Sequence, residues 1–263
     1  MRILSFATRS LPLLLLLLLP HAAFAQDPTT EPSLLGAGAR LRPAYDGSDS
    51  QRLEAVPVLR YYGPVLFVRS TRGQLEGGAH FEFLPGLNAG VQLAYEPGRK
   101  ASESDLLNDH NIPDIDAGAS YGGHLEWNGK LGPSPINLIL RARKHTNAER
   151  GIQADIRLTV GVFQLGHFSA GIVGQATWAD AKSTGSMYGI TAQQAASSGL
   201  PAFEPGGGLL ADSLALIWSF DLASHWVLVG NLEGRHMQGD AARSPLTERR
   251  SNYYNTVGVA YRF

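Results

Sequence analysis

The chain has 263 residues, no cysteine, and 22 basic against 23 acidic residues, a formal charge of −1. That balance gives no basic surface for nucleic acid, and the missing cysteines exclude disulfides and thiolate metal sites. Thirty glycines and 15 prolines against 10 phenylalanines describe many turns and short strands rather than a helical core.

The first segment is an export signal by its pattern. Residues 1–9 carry Arg2 and Arg9 with no acid, and residues 11–20 are almost pure leucine. Ala23-Phe24-Ala25 supplies the small-x-small spacing of a cleavage site. Residues 1–25 are therefore expected to be a cleaved signal peptide, followed by a periplasmic segment over 26–34 and a membrane domain over 35–263. The leucine run is too short to span a bilayer, and no later segment is long and apolar enough to be a transmembrane helix.

From there the chain reads as strands. Twelve segments are expected near 35–43, 53–61, 64–71, 75–83, 87–96, 114–127, 136–144, 151–161, 167–178, 210–220, 225–235 and 253–263. Ten is the alternative, because the glycine-rich 35–43 and the prolines Pro57 and Pro64 permit a different count. Leu75-Gly77-Ala79-Phe81-Phe83 alternates with Glu76, His80 and Glu82, and Ile152-Ala154-Ile156-Leu158-Val160 with Gln153, Asp155, Arg157 and Thr159. One face is apolar in segment after segment while the other carries charge, as lipid outside and a wet lumen inside require. The expected fold is all-β: an antiparallel transmembrane β-barrel of the bacterial outer membrane.

Connection lengths support this independently. Those at 62–63, 84–86, 128–135, 163–166 and 221–224 are short, whereas 97–113, 179–209 and 236–252 are long and fall on the opposite side. Short periplasmic turns and long outer loops are the asymmetry of such barrels. Tyr45, Tyr61, Tyr62, Tyr95, Tyr121, Trp127, Trp178, Trp226 and Tyr253 stand at segment ends, where interfacial girdles place aromatics.

Candidate sites follow from this topology. Arg141, Arg143 and Lys144 with Arg157 form a basic stripe, expected to face Glu76, Glu82, Glu126 and Glu233 across the lumen. Such a network packs a narrow barrel and biases the ion selectivity of a pore. Residues 191–200 read as one short helix, with Thr191 as cap and Gly199 as stop. With Gln193, Gln194, Leu200 and Pro201 it is expected to fold over the mouth and constrict it. Val259, Tyr261 and Phe263 share one face of the last strand, resembling the signal read by the barrel-assembly machinery.

Other groups suggest less. Asp46 and the acidic run over 103–109, with Asp114 and Asp116, read as solvated loop charge rather than a metal loop. His167 and Ser169 have the spacing of outer-membrane phospholipases, but the expected topology places them at a periplasmic turn. Neither a catalytic residue, a cofactor nor a metal is expected.

Several stretches together carry a resemblance. They are Tyr45-Asp46-Gly47-Ser48-Asp49, Val56-Pro57-Val58, Tyr95-Glu96-Pro97-Gly98-Arg99, Asp114-Ile115-Asp116-Ala117-Gly118 and Thr177-Trp178-Ala179-Asp180. Tyr188-Gly189-Ile190-Thr191-Ala192-Gln193-Gln194-Ala195-Ala196 continues through Ser198-Gly199-Leu200-Pro201-Ala202-Phe203. Asp240-Ala241-Ala242 with Ser244-Pro245, and the terminal Tyr261-Arg262-Phe263, complete the set. In order and over the whole mature chain, these resemble the MipA/OmpV family, also called MltA-interacting proteins. The resemblance implies an outer-membrane barrel that acts as a scaffold between a murein transglycosylase and a penicillin-binding protein. The alternative among relatives is a narrow porin-like channel for small solutes. In either case outer-membrane lipid and lipopolysaccharide would surround it.

Overall fold

Period-2 alternation leaves each segment one face that avoids water and one that needs it, and closure into a cylinder satisfies both without leaving a terminal edge. The computed structural model describes residues 32–71 and 73–263, so the expected signal peptide over 1–25 lies outside the described residues. The strands are β1 (Leu34–Pro43), β2 (Gln51–Tyr62), β3 (Leu66–Thr71), β4 (Gln74–Leu84), β5 (Leu87–Glu96) and β6 (Gly118–Leu131). They continue as β7 (Ser134–His145), β8 (Ile152–Leu165), β9 (Phe168–Ala179), β10 (Gly208–Asp221), β11 (Trp226–Met237) and β12 (Ser251–Arg262). Each pairs antiparallel with its chain neighbours, and β12 returns to pair with β1 in a closed barrel.

The twelve-strand reading stands over ten. Pro64 lies in the β2–β3 turn, and Pro57 is accommodated within β2, whose partner on its other side is β1. The sixth strand begins at Gly118 rather than near 114, because Ile115 bridges to Arg99 within the preceding loop. The glycine-rich first strand has a steric reason at the seam. A Cβ on Gly36 would lie 2.1 Å from the Val259 carbonyl oxygen.

Leu53, Val91, Leu93, Leu214, Tyr253 and Val257 are exposed on the outer face, together with Tyr61, Tyr95, Tyr121, Trp127, Trp178 and Trp226. Two aromatics expected in the girdle point elsewhere. Tyr45 is buried beneath the long loops, and Tyr62 turns into the lumen against Arg69. Lys144, read with the basic stripe, faces outward, since Arg141 and Arg143 on the same strand face in and parity leaves Lys144 outside.

At the long-loop end the connections fold on one another. Ala44, Tyr45, Leu107, Ile112, Ile190 and Leu246, drawn from four loops, form one buried apolar cluster. Ala195, Leu200 and Phe203 pack against it. The loops carry three helices, α1 (Asp105–Asp109), α2 (Ala181–Tyr188) and α3 (Ala192–Ser198).

Candidate functional site: a paired lumen beneath a folded cap

Strand register places the inward charges. Arg69 pairs with Glu76 across β3 and β4, and Arg141 with Asp155 across β7 and β8. The side chains then join strands that are not neighbours. Arg141 reaches Glu76 at 3.0 Å and Asp155 at 3.0 Å, while Arg69 bonds Glu76 and the Tyr62 hydroxyl and lies 3.5 Å from Glu126. Glu126 also accepts from Asn137 Nδ2 at 2.7 Å. Glu76 is shared between two guanidiniums with 0% of its side chain exposed. Such desolvated charges persist only because each is paired, and removing one partner of such a pair costs about 3–5 kcal/mol.

The other expected members divide. Arg157 is buried beside this group. Arg143 pairs with Glu96 at 3.1 Å, nearer the long-loop end. Glu233 belongs to a separate cluster on β11, bonded to Arg235 at 3.1 Å. Glu82 takes no part: it is exposed at the short-turn end and accepts from the Gly86 amide. It faces inward by parity but lies too near the periplasmic rim to meet the arginines.

Sequence reasoning missed Asp46. It leaves the β1–β2 loop to meet Arg235 and the Tyr254 hydroxyl, and Tyr254 lies under two guanidiniums, Arg235 at 4.5 Å and Arg40 at 5.1 Å. Nothing local in an acidic loop distinguishes an inserted aspartate from a solvated one. Asp155 was legible only as a polar-face position, and Arg69 was not singled out.

The expected helix forms as α3. Thr191 and Gln194 make a reciprocal capping box, and Gly199 ends the helix in the left-handed region at φ 73. Gln193 and Pro201 are exposed, Gln194 is used by the cap, and Leu200 packs into the shared apolar cluster. The preceding helix α2, capped by Asp180 through Ser183 N at 2.7 Å, was not anticipated. Its Gly185 and three serines or threonines hide it from propensity.

The cap is held by buried polar bonds. Tyr45 donates to the Leu246 carbonyl at 2.7 Å, Ser244 to the Tyr188 carbonyl at 2.6 Å, and Tyr188 to the Asp46 carbonyl at 3.2 Å. Burial pushes the Tyr45 hydroxyl up to about 12, with Glu248 adding to the shift. His167 and Ser169 stay at a short turn, with no hydrogen bond between them among the described residues, and Ser169 faces the lumen opposite Ser219.

A closed twelve-stranded antiparallel barrel, apolar outside and ion-paired within, defines an outer-membrane β-barrel protein, and its place is the bacterial outer membrane. The sequence narrows that class. Residues 35–263 match the family model described as MltA-interacting protein MipA, and the chain belongs to that family. Among solved structures it is similar to LpxR from Salmonella typhimurium at 7% identity and a TM-score of 0.47, covering 87% of this chain and 100% of that one. It is also similar to an outer membrane channel from Pseudomonas putida F1 at 9% identity and a TM-score of 0.46, covering 94% and 100%. No curated protein matches the sequence.

Proposed function

We propose that this barrel is a membrane-anchored scaffold for murein-cleaving and murein-building enzymes, and is not itself an enzyme. The observation that carries the reading is the Arg69–Glu76–Arg141–Asp155 chain, in which lumen charges are consumed by one another under a folded cap. A barrel packed in this way is a rigid body whose free chemistry lies at its rims. At the short-turn rim Leu84, Leu131, Leu165 and Leu222 are exposed, a surface suited to partner contact. Membership of a family named for interaction with MltA agrees with this. The Val259, Tyr261 and Phe263 face would serve insertion by the assembly machinery. Phe263→Ala should then slow assembly without changing the folded barrel.

The test is affinity capture on the immobilised, refolded barrel. A lytic murein transglycosylase should be retained, and Leu131→Asp with Leu165→Asp should release it. Failure to retain any murein enzyme would sink the scaffold reading.

A narrow channel for small solutes is the second reading. It draws on one wall of the lumen, where Gln175, Ser213, Asn231 and Thr256 stay partly accessible beside the small residues Gly171, Ala215 and Gly258. Planar-bilayer recording separates the two: discrete conductance steps from the intact chain would favour the channel.

A further inference from the structure

The barrel wall has a notch. β3 pairs with β2 at Arg60–Arg69, Tyr61–Val68 and Tyr62–Phe67 only, because the β3–β4 hairpin turns back after Thr71. One further contact is made by a side chain: Ser70 Oγ accepts from the Leu59 amide at 2.9 Å and donates to its carbonyl at 3.4 Å. Above Leu59, β2 continues to Gln51 with β1 on one side and no strand on the other among the described residues. Since Leu59 directs its amide and carbonyl toward β3, alternation directs those of Pro57, Ala55 and Leu53 the same way. Beyond the hairpin β5 also ends, at Glu96 level with Gln74, so this length of β2 stands as an unpaired edge. The loop over residues 97–117 meets the upper end of β2 through the ion pair of Glu103 with Arg52.

Three observations identify what fills the notch. Its surround is continuous with the lipid-facing surface, through Leu53 at 72% exposure, Leu75 at 40% and Tyr95 at 52%. Its lumen side is occupied: Arg40, 3.6 Å from Glu54, extends to Gly73, where a Cβ would lie 2.1 Å from Nη1. An occupant therefore enters from the bilayer, on the long-loop side, which in this class faces outward. A second copy fits poorly. Barrels inserted the same way bring their β2 strands together running in one direction at opposed tilts, so the edges cross rather than pair.

We propose that this edge binds the lipopolysaccharide anchor, a glycolipid with amide-linked, hydroxylated acyl chains. The edge offers three carbonyl acceptors but only two amide donors, because Pro57 has none. Backbone groups facing hydrocarbon must find partners. Ester-linked phospholipid brings only acceptors at that depth, whereas amide N–H and hydroxyl groups bring the donors the carbonyls need. The inference does not depend on the scaffold reading.

Residue-resolved hydrogen exchange tests it on the whole chain in nanodiscs holding one barrel each. One set contains phosphatidylcholine alone, the other phosphatidylcholine with lipopolysaccharide. The amides of Leu53 and Ala55 should exchange about tenfold or more slowly with lipopolysaccharide present. Those of Arg52 and Glu54, directed to β1, should be unchanged. Equal exchange in the two bilayers overturns the proposal, whether the amides are open in both or covered by phospholipid in both. Protection that needs two barrels per disc marks a second copy and overturns it as well.

Discussion

Asp46 and Arg235 stand 189 positions apart and form an ion pair that fastens an outer loop to the barrel wall. Around it, Asn252 accepts from the Gly47 amide at 2.7 Å and donates to the Ser48 carbonyl at 2.8 Å. The first loop is thereby pinned to the last strand, and the barrel seam and the cap become one structure. Asp46→Ala should leave Arg235 with Glu233 as its carboxylate and cost about 2 kcal/mol. Amides over residues 44–50 should exchange faster, while those of β5 and β6 stay protected. Uniform loosening of both regions would count against a local latch.

Glu76 separates Arg69 from Arg141. Glu76→Gln should bring the two guanidiniums into uncompensated proximity and destabilise the barrel by about 3–5 kcal/mol. Adding Arg69→Met should recover part of that loss, since the surviving Arg141 keeps Asp155 and Glu126 keeps Asn137. A double-mutant cycle in urea titrations of the vesicle-folded protein measures the coupling. Additive losses would mean that the pair does not act as a unit.

Tyr45 makes the cap sensitive to alkali. Its hydroxyl titrates near 10 in an unfolded chain and is pushed up to about 12 by burial. A raised acid favours the folded cap fully below pH 10, and that contribution is lost as pH climbs toward 12. Tyrosinate absorbance and faster amide exchange near Leu246 should rise together over that window. Tyr45→Phe should remove this step while sacrificing the bond to the Leu246 carbonyl.

Thr191→Ala breaks the capping box of α3 and should destabilise the cap by about 1 kcal/mol. Thr191→Ser should restore most of it. The readout is local protease cleavage over residues 190–203, with barrel strands unaffected.

Local signals account for what was legible. β5 was read to the residue at Leu87–Glu96, since its alternation is unbroken and turn residues bound it. The α3 helix was read because Thr191 and Gly199 announce start and stop within nine positions, and the structure adds the Gln194 half of the capping box. The lumen network was partly legible. Parity alone sets Arg141 and Glu76 facing inward, but only register brings β4 and β7 side chains to the same height. Glu82, on the same face as Glu76, shows the limit: parity says which way a side chain points and nothing about its depth.

The sequence by itself determined the barrel and its sidedness, and left the strand number between twelve and ten, because alternation and connection length are properties of neighbouring residues. The tertiary structure alone decided that four loops share a core, that Asp46 is a latch rather than a solvated charge, and that β3 and β4 stop short beside β2. Each of these depends on distances between residues tens to hundreds of positions apart. Such distances are fixed only when the sheet closes, since closure sets the register of every strand against every other at once.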